Sequence, residues 1–176
     1  MQTRFLIITG MSGAGKTQVV RTLEDLKYFC IDNLPAALIP KFAELCRQTS
    51  ESNVALVVDV RGGQFFDKLL QVLDEIKASG QKYELLFLDA DDATLVRRYK
   101  ETRRRHPLGD SETLLDNLAQ ERELLAPLLE KSTYIINTTD LNSSELKNRV
   151  RELFSTDNER ERMGIAVRSF GFKYGL

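Results

Sequence analysis

Apolar and polar residues alternate along the 176-residue chain in two distinct rhythms. Five short stretches are apolar and nearly continuous: Arg4–Thr9, Tyr28–Asp32, Val54–Val60, Glu84–Leu88 and Tyr134–Asn137. Of these five, Val54–Val60, a nearly unbroken aliphatic and β-branched run, suits a strand covered on both faces. Between them, apolar residues recur at spacings of three and four, which predicts amphipathic helices. The first carries Val19, Val20, Leu23 and Leu26. Pro35, favoured at a first helical turn, opens the second, with Leu38, Phe42 and Leu45 on one face. A third shows Phe66, Leu69, Leu70, Leu73 and Ile76, and a fourth Leu95, Val96 and Tyr99. The fifth, from about Ser111 to Glu130, places Leu114, Leu118, Leu125 and Leu129. The last starts at Asn142 with Glu145 three residues on, a capping-box start, and buries Leu146, Val150 and Leu153.

Strands alternating with helices predict an α/β fold: a five-stranded parallel sheet with helices on both faces. Such sheets bind ligands beyond the carboxyl ends of their strands. Attention therefore falls on Gly10–Thr17, Asp32–Asn33, Asp59–Gly62, Asp89–Asp92 and Thr138–Asp140. One domain is expected over residues 1–154, followed by a polar linker over 155–164 that includes STDNERER. Residues 165–176 again read as a strand, the start of a truncated C-terminal domain.

Composition narrows the function classes. The chain is 42% hydrophobic and 29% charged, ordinary for a soluble domain. Its 25 Lys and Arg against 26 Asp and Glu leave no basic excess to point to nucleic acid. No apolar stretch is long enough for a membrane span, and the N-terminus lacks the pattern of a signal peptide. Cys30 and Cys46 show no metal or redox spacing and read as neutral thiols, so a cytoplasmic location is expected.

The chemistry begins at Gly10-Met11-Ser12-Gly13-Ala14-Gly15-Lys16-Thr17, which matches G-x-x-x-x-G-K-[ST]. Glycines let consecutive backbone N–H groups converge on one anion, and the following helix turns its positive end to the same oxygens. Lys16 supplies a charge for the β- and γ-phosphates, and the Thr17 hydroxyl a ligand for Mg²⁺. This chemistry also calls for a strand-terminal Asp near the metal. Asp59 is the first candidate, and Asp89 its rival. Asp32, in CIDNLP, can orient water or accept a proton, or simply shape the turn before Pro35. Arg61 can touch a phosphate or form a structural ion pair.

Arg97–Arg105 holds six basic residues in nine, with Arg98 and Arg105 on one helical face. Followed by Pro107-Leu108-Gly109, it suits a lid in which an arginine such as Arg105 stabilises transition-state charge. A solvated helix end is the alternative. His106, the only histidine, is expected to be exposed and uninvolved. No N-K-x-D guanine motif is present, because Asn137-Thr138-Thr139-Asp140 lacks the lysine.

The order of these pieces resembles the nucleoside-kinase-like branch of P-loop NTPases. More closely, GMSGAGKT, YFCIDNLP, VVDVRGG, FLDADDATLVRRYKETRRRHPL and SFGFKYG resemble the RapZ/YvcJ family of nucleotide-binding proteins, also called RNase adapter proteins. The resemblance covers nearly the whole chain. It implies binding and slow hydrolysis of ATP and GTP with Mg²⁺. It places ATP binding on Gly10–Thr17 and a GTP-associated motif on Asp59-Val60-Arg61-Gly62. It further implies, for some full-length members, an adapter role for small RNAs that rests on a second domain opening with a segment like SFGFKYG.

Three functions are therefore weighed: a regulatory nucleotide switch with weak NTPase activity, a small-molecule or nucleotide kinase, and an RNA-binding protein using the basic segment. The interval between the second and third strands, about 21 residues, holds one helix and little room for an acceptor pocket, which favours the switch. Balanced charge argues against RNA binding by this part. Homo-oligomerisation is left open.

Overall fold

The first apolar run becomes the centre of the sheet. A computed structural model describes residues 4–48, 53–58, 63–80, 82–102, 106–108 and 113–155, without the side chains of residues 47, 48, 63–65 and 67. In it β1 (Arg4–Gly10) is flanked by β3 (Asn53–Val57) and β4 (Glu84–Asp89). Outside these lie β2 (Phe29–Asp32) and β5 (Tyr134–Asn137), giving the order β2-β3-β1-β4-β5 with every pair parallel. The three inner strands are buried almost throughout, which is why their sequences are continuously apolar. The third strand ends at Val57, and Val58 still donates to Ile8 O at 2.9 Å. The remainder of the expected run, 59–60, lies outside the described residues.

Right-handed crossovers dictate the layers. Helix α1 (Lys16–Asp25) carries the chain back to the β2 edge and packs with α6 (Ser143–Phe154). The connections running the other way place α2 (Ile39–Gln48), α3 (Gly63–Ala78), α4 (Asp92–Thr102) and α5 (Leu114–Glu130) on the opposite side, with α3 against α2 and α5. Two predicted helix starts differ in outcome. Asn142 forms the full capping box with Glu145. The expected start of α5 at Ser111 moves to Leu114, where the Thr113 hydroxyl accepts from Asp116 N–H.

One predicted face is corrected. Pro35 leads into a short 3-10 turn, Ala36–Leu38, and α2 begins only at Ile39. The helix buries Ile39, Ala43 and Cys46, while Leu38 and Leu45 remain exposed and Phe42 is half-buried. Both sets satisfy helical spacing, and the small Ala43 lets the helix sit closer to the sheet than Phe42 would. Phe42 instead stacks on Phe29 of the edge strand, with ring centroids 6.4 Å apart. Cys30 is half-buried, and burial, with a smaller contribution from Glu24, pushes its thiol up to about 11, so it is neutral at physiological pH. Among the described residues no helix is long and apolar enough to cross a membrane.

Candidate functional site: a glycine-rich loop at the carboxyl edge

Parallel strands bring their carboxyl ends to one edge, and the loop after β1 occupies its centre. Gly10 sits at φ +130°, and a Cβ there would lie 2.1 Å from Leu88 O. Only glycine lets the loop leave β1 while pressed against β4, where Met11 N–H donates to Leu88 O at 2.9 Å. Gly15, at φ +106°, turns the loop into α1. No side chain caps α1 and its first turn has no acidic residue, so an incoming anion meets the helix's positive end. The Gly13 and Thr17 positions face solvent. The Lys16 ammonium folds back over the loop and donates to Gly10 O at 2.7 Å and Met11 O at 3.2 Å.

The loop is strapped from outside at each of its middle residues. Glu121 of α5 accepts from Ser12 N–H with both oxygens at 3.1 Å, and from Ser12 Oγ–H at 2.7 Å. Arg98 of α4 donates to Gly13 O at 3.2 Å and to Thr138 Oγ1 and O at 2.9 and 2.6 Å. The Thr138 hydroxyl in turn donates to Ala14 O at 3.0 Å. Burial, reinforced by neighbouring Arg97, pulls the Arg98 guanidinium below its ordinary value, which still leaves it cationic. Arg98 therefore belongs to the loop's frame.

The carboxylate candidates separate clearly. Asp89 ends β4 but is committed: Arg122 donates to its two oxygens at 2.9 and 3.0 Å, and Ala90 N–H to Oδ1 at 2.8 Å. Arg122 also reaches Asp92 at 2.8 Å. Burial opposes the Arg122 charge, but the bonds to Asp92 and Asp89 outweigh it and hold the group above its ordinary value. Asp32 lies exposed at the carboxyl end of β2, next to β3 in the sheet and one strand further from β1. Asp59, Val60, Arg61 and Gly62 lie outside the described residues, as does Arg105.

His106 corrects an expectation. It is buried, not exposed, with its ring 5.4 Å from that of Tyr99 and its Nε2 3.1 Å from Glu121 Oε2. The residue is drawn inward because the turn after α4 folds onto α5. Glu121 and Arg122 were missed by the sequence reading. A signal existed for the first: Glu121 interrupts the stripe Leu118, Leu125, Leu128 at helical spacing, a charge placed on a buried face.

Comparison with known proteins fits this geometry. Residues 3–158 match the family described as RapZ-like N-terminal domain. A "Nucleotide-binding protein" of Clostridium botulinum (strain Loch Maree / Type A3) is 49% identical over 98% of this chain and 60% of its own length. One from Desulforudis audaxviator (strain MP104C) is 51% identical over 99% of this chain and 60% of its own. The chain thus spans about 60% of the length of the curated relatives it matches. Among solved structures, shikimate kinase from Bacteroides thetaiotaomicron superposes with a TM-score of 0.58 at 21% identity, over 85% of this chain and 97% of that one. A gluconokinase from Sinorhizobium meliloti 1021 gives 0.51 at 17% identity, over 92% and 98%. These last likenesses concern the fold alone. With the glycine loop, its lysine and the match across residues 3–158 together, the chain belongs to the RapZ-like N-terminal domain family.

Proposed function

We propose that this domain binds a nucleoside triphosphate with Mg²⁺, ATP or GTP, and works as a regulatory switch with slow NTPase activity. The observation that carries the reading is the loop itself: glycines at positive φ, an uncapped helix start, and Lys16 held against the loop's carbonyls. Phosphate oxygens offer Lys16 a stronger, charge-assisted partner than the carbonyls of Gly10 and Met11. The name carried by the clostridial relative, a nucleotide-binding protein, supports the same reading.

The residues suit a magnesium nucleotide. Thr17 stands exposed in the first turn of α1, where its hydroxyl would hold the ion, and Asp59 would contribute the carboxylate. The ion would neutralise charge on the β- and γ-phosphates. The chain's own groups bind and orient: loop amides cradle the phosphates, Lys16 bridges them, and Asp32 at the end of β2, two strands from β1, can orient water. Arg105 is the proposed donor to developing charge on the transferred phosphoryl group. Residues 165–176 are proposed to begin a second domain through which full-length members would engage RNA. Cytoplasmic residence and any self-association belong to the same proposal.

A switch is favoured over a kinase because, among the described residues, only the turn Ala36–Leu38 and α2 fill the interval between β2 and β3. The test is the fate of labelled γ-phosphate from MgATP and MgGTP, with and without a panel of sugars and nucleoside monophosphates. Slow release as free phosphate is expected. Stoichiometric transfer to an acceptor would overturn the switch in favour of a small-molecule kinase.

A further inference from the structure

Glu121 and His106 are both buried, and the phosphate chemistry outlined above uses neither. Among the described residues, every group hydrogen-bonded to the Glu121 carboxylate is a donor: Ser12 N–H, Ser12 Oγ–H and His106 Nε2. The histidine tautomer follows from its other nitrogen. Leu108 N–H donates to Nδ1 at 3.2 Å, so Nδ1 carries no proton, Nε2 carries it, and the ring is neutral. The carboxylate thus has three donors and spends two of them on one residue of the loop. Tyr99 fills the gap between, stacked obliquely on His106 and 3.5 Å from where a Cβ on Gly13 would lie. Arg98, one residue earlier, holds Gly13 O. Among the described residues, the side chains that hold Ser12 and Gly13, the tip of the loop, come from α4 and α5.

We propose that Glu121, oriented by His106, is a positioning residue for nucleotide binding: it turns the Ser12 amide toward α5, away from the phosphates, and so leaves the amides of Gly13 and of Gly15 to Thr17 to face them, while Ala14 N–H closes the turn onto Met11 O at 3.0 Å. The inference rests on the reading of the loop as a nucleotide site. Its chemistry favours a carboxylate. An amide at position 121 must point its NH₂ either at Ser12, where the hydroxyl can turn to accept it but the backbone N–H, 3.1 Å from both oxygens, cannot, or at His106. His106 can accept it only by moving its proton to Nδ1, which forfeits the bond from Leu108. Glu121→Gln is thus expected to be only a partial substitute, despite its matching shape.

The experiment is a titration of the full chain with MgATP, run beside circular dichroism and two-dimensional NMR of the backbone amides. Glu121→Ala is expected to weaken binding about tenfold or more while the protein remains folded. Ser12→Ala and His106→Ala are each expected to weaken it about threefold. The Glu121→Ala/His106→Ala pair should be no weaker than Glu121→Ala alone, because His106 reaches the loop only through the carboxylate. Lys131→Ala, which removes a surface pair with Asp74, serves as the control without effect. Wild-type affinity in Glu121→Ala, or fully additive losses in the double variant, would overturn the proposal. If Glu121→Ala does not fold, unchanged binding in both Ser12→Ala and His106→Ala overturns it equally. A wild-type protein that binds neither MgATP nor MgGTP would refute the nucleotide reading. The Ser12 amide resonance then decides the positioning half alone. It is expected downfield and displaced by Glu121→Gln, and an unmoved resonance overturns that half.

Discussion

The two ends of the parallel sheet solve opposite problems. At the amino edge, side chains satisfy one another. Arg4 is paired with Glu84, also donates to Tyr134 Oη at 3.3 Å, and lies 4.9 Å over the Phe154 ring. Tyr28 and Tyr134 meet Phe154 edge-on at 6.5 and 5.3 Å, and Tyr28 Oη donates to Phe154 O. At the carboxyl edge, side chains of α4, α5 and the turn after β5 hold a backbone loop by its outer atoms. One edge is closed by aromatic packing and a charge pair. The other is a frame whose inner face is left for an anion. The difference shows how one sheet separates stability from function: Arg4, Glu84 and Tyr134 at strand starts satisfy one another, while Gly10 at the end of β1 opens a loop whose outer atoms are held by other elements.

That division is open to attack from its closed side first. Phe154→Ala removes a fully buried ring and is expected to cost about 3–5 kcal/mol in urea unfolding. MgATP affinity of the folded fraction should stay within about twofold, and a matching loss of affinity would show that the edges are not independent. Glu84→Gln leaves Arg4 without its charge partner. Because the pair is partly exposed, a cost of about 1–2 kcal/mol is expected, between values for buried and surface pairs. Asp89→Asn tests the open side. It weakens the clasp from Arg122, itself well exposed, so stability should fall by only about 0.5–1 kcal/mol. The Mg²⁺ dependence of nucleotide binding should change less in Asp89→Asn than in Asp59→Asn, and the reverse order would exchange the two aspartates.

Much of this was legible in sequence, for identifiable reasons. Residues 4–9 and 84–88 read as strands, each one residue short of β1 and β4, because both faces of these strands are covered and their runs are continuously apolar. The loop at Gly10–Thr17 was legible because its conformation is encoded locally, in glycines and the helix start. The face of α2 was not, since Leu38, Phe42, Leu45 and Ile39, Ala43, Cys46 fit the same period. Only the sheet's proximity chooses the set with the small residue. The straps were not legible either. Glu121 and Ser12 are 109 residues apart, and His106 reads as part of a basic, solvent-facing segment until α5 is packed beside it. Asp89 read as a metal candidate because its partner Arg122 lies a helix away.

The central claim is that the Gly10–Thr17 backbone and Lys16 form a pocket for a triphosphate. Calorimetric titration of MgATP and MgGTP into the wild-type chain and Lys16→Ala tests it directly. The account predicts saturable one-to-one binding by the wild type. It predicts at least about a hundredfold loss in Lys16→Ala, some 2.7 kcal/mol, with an unchanged unfolding midpoint. Equal affinity in the two proteins would contradict it.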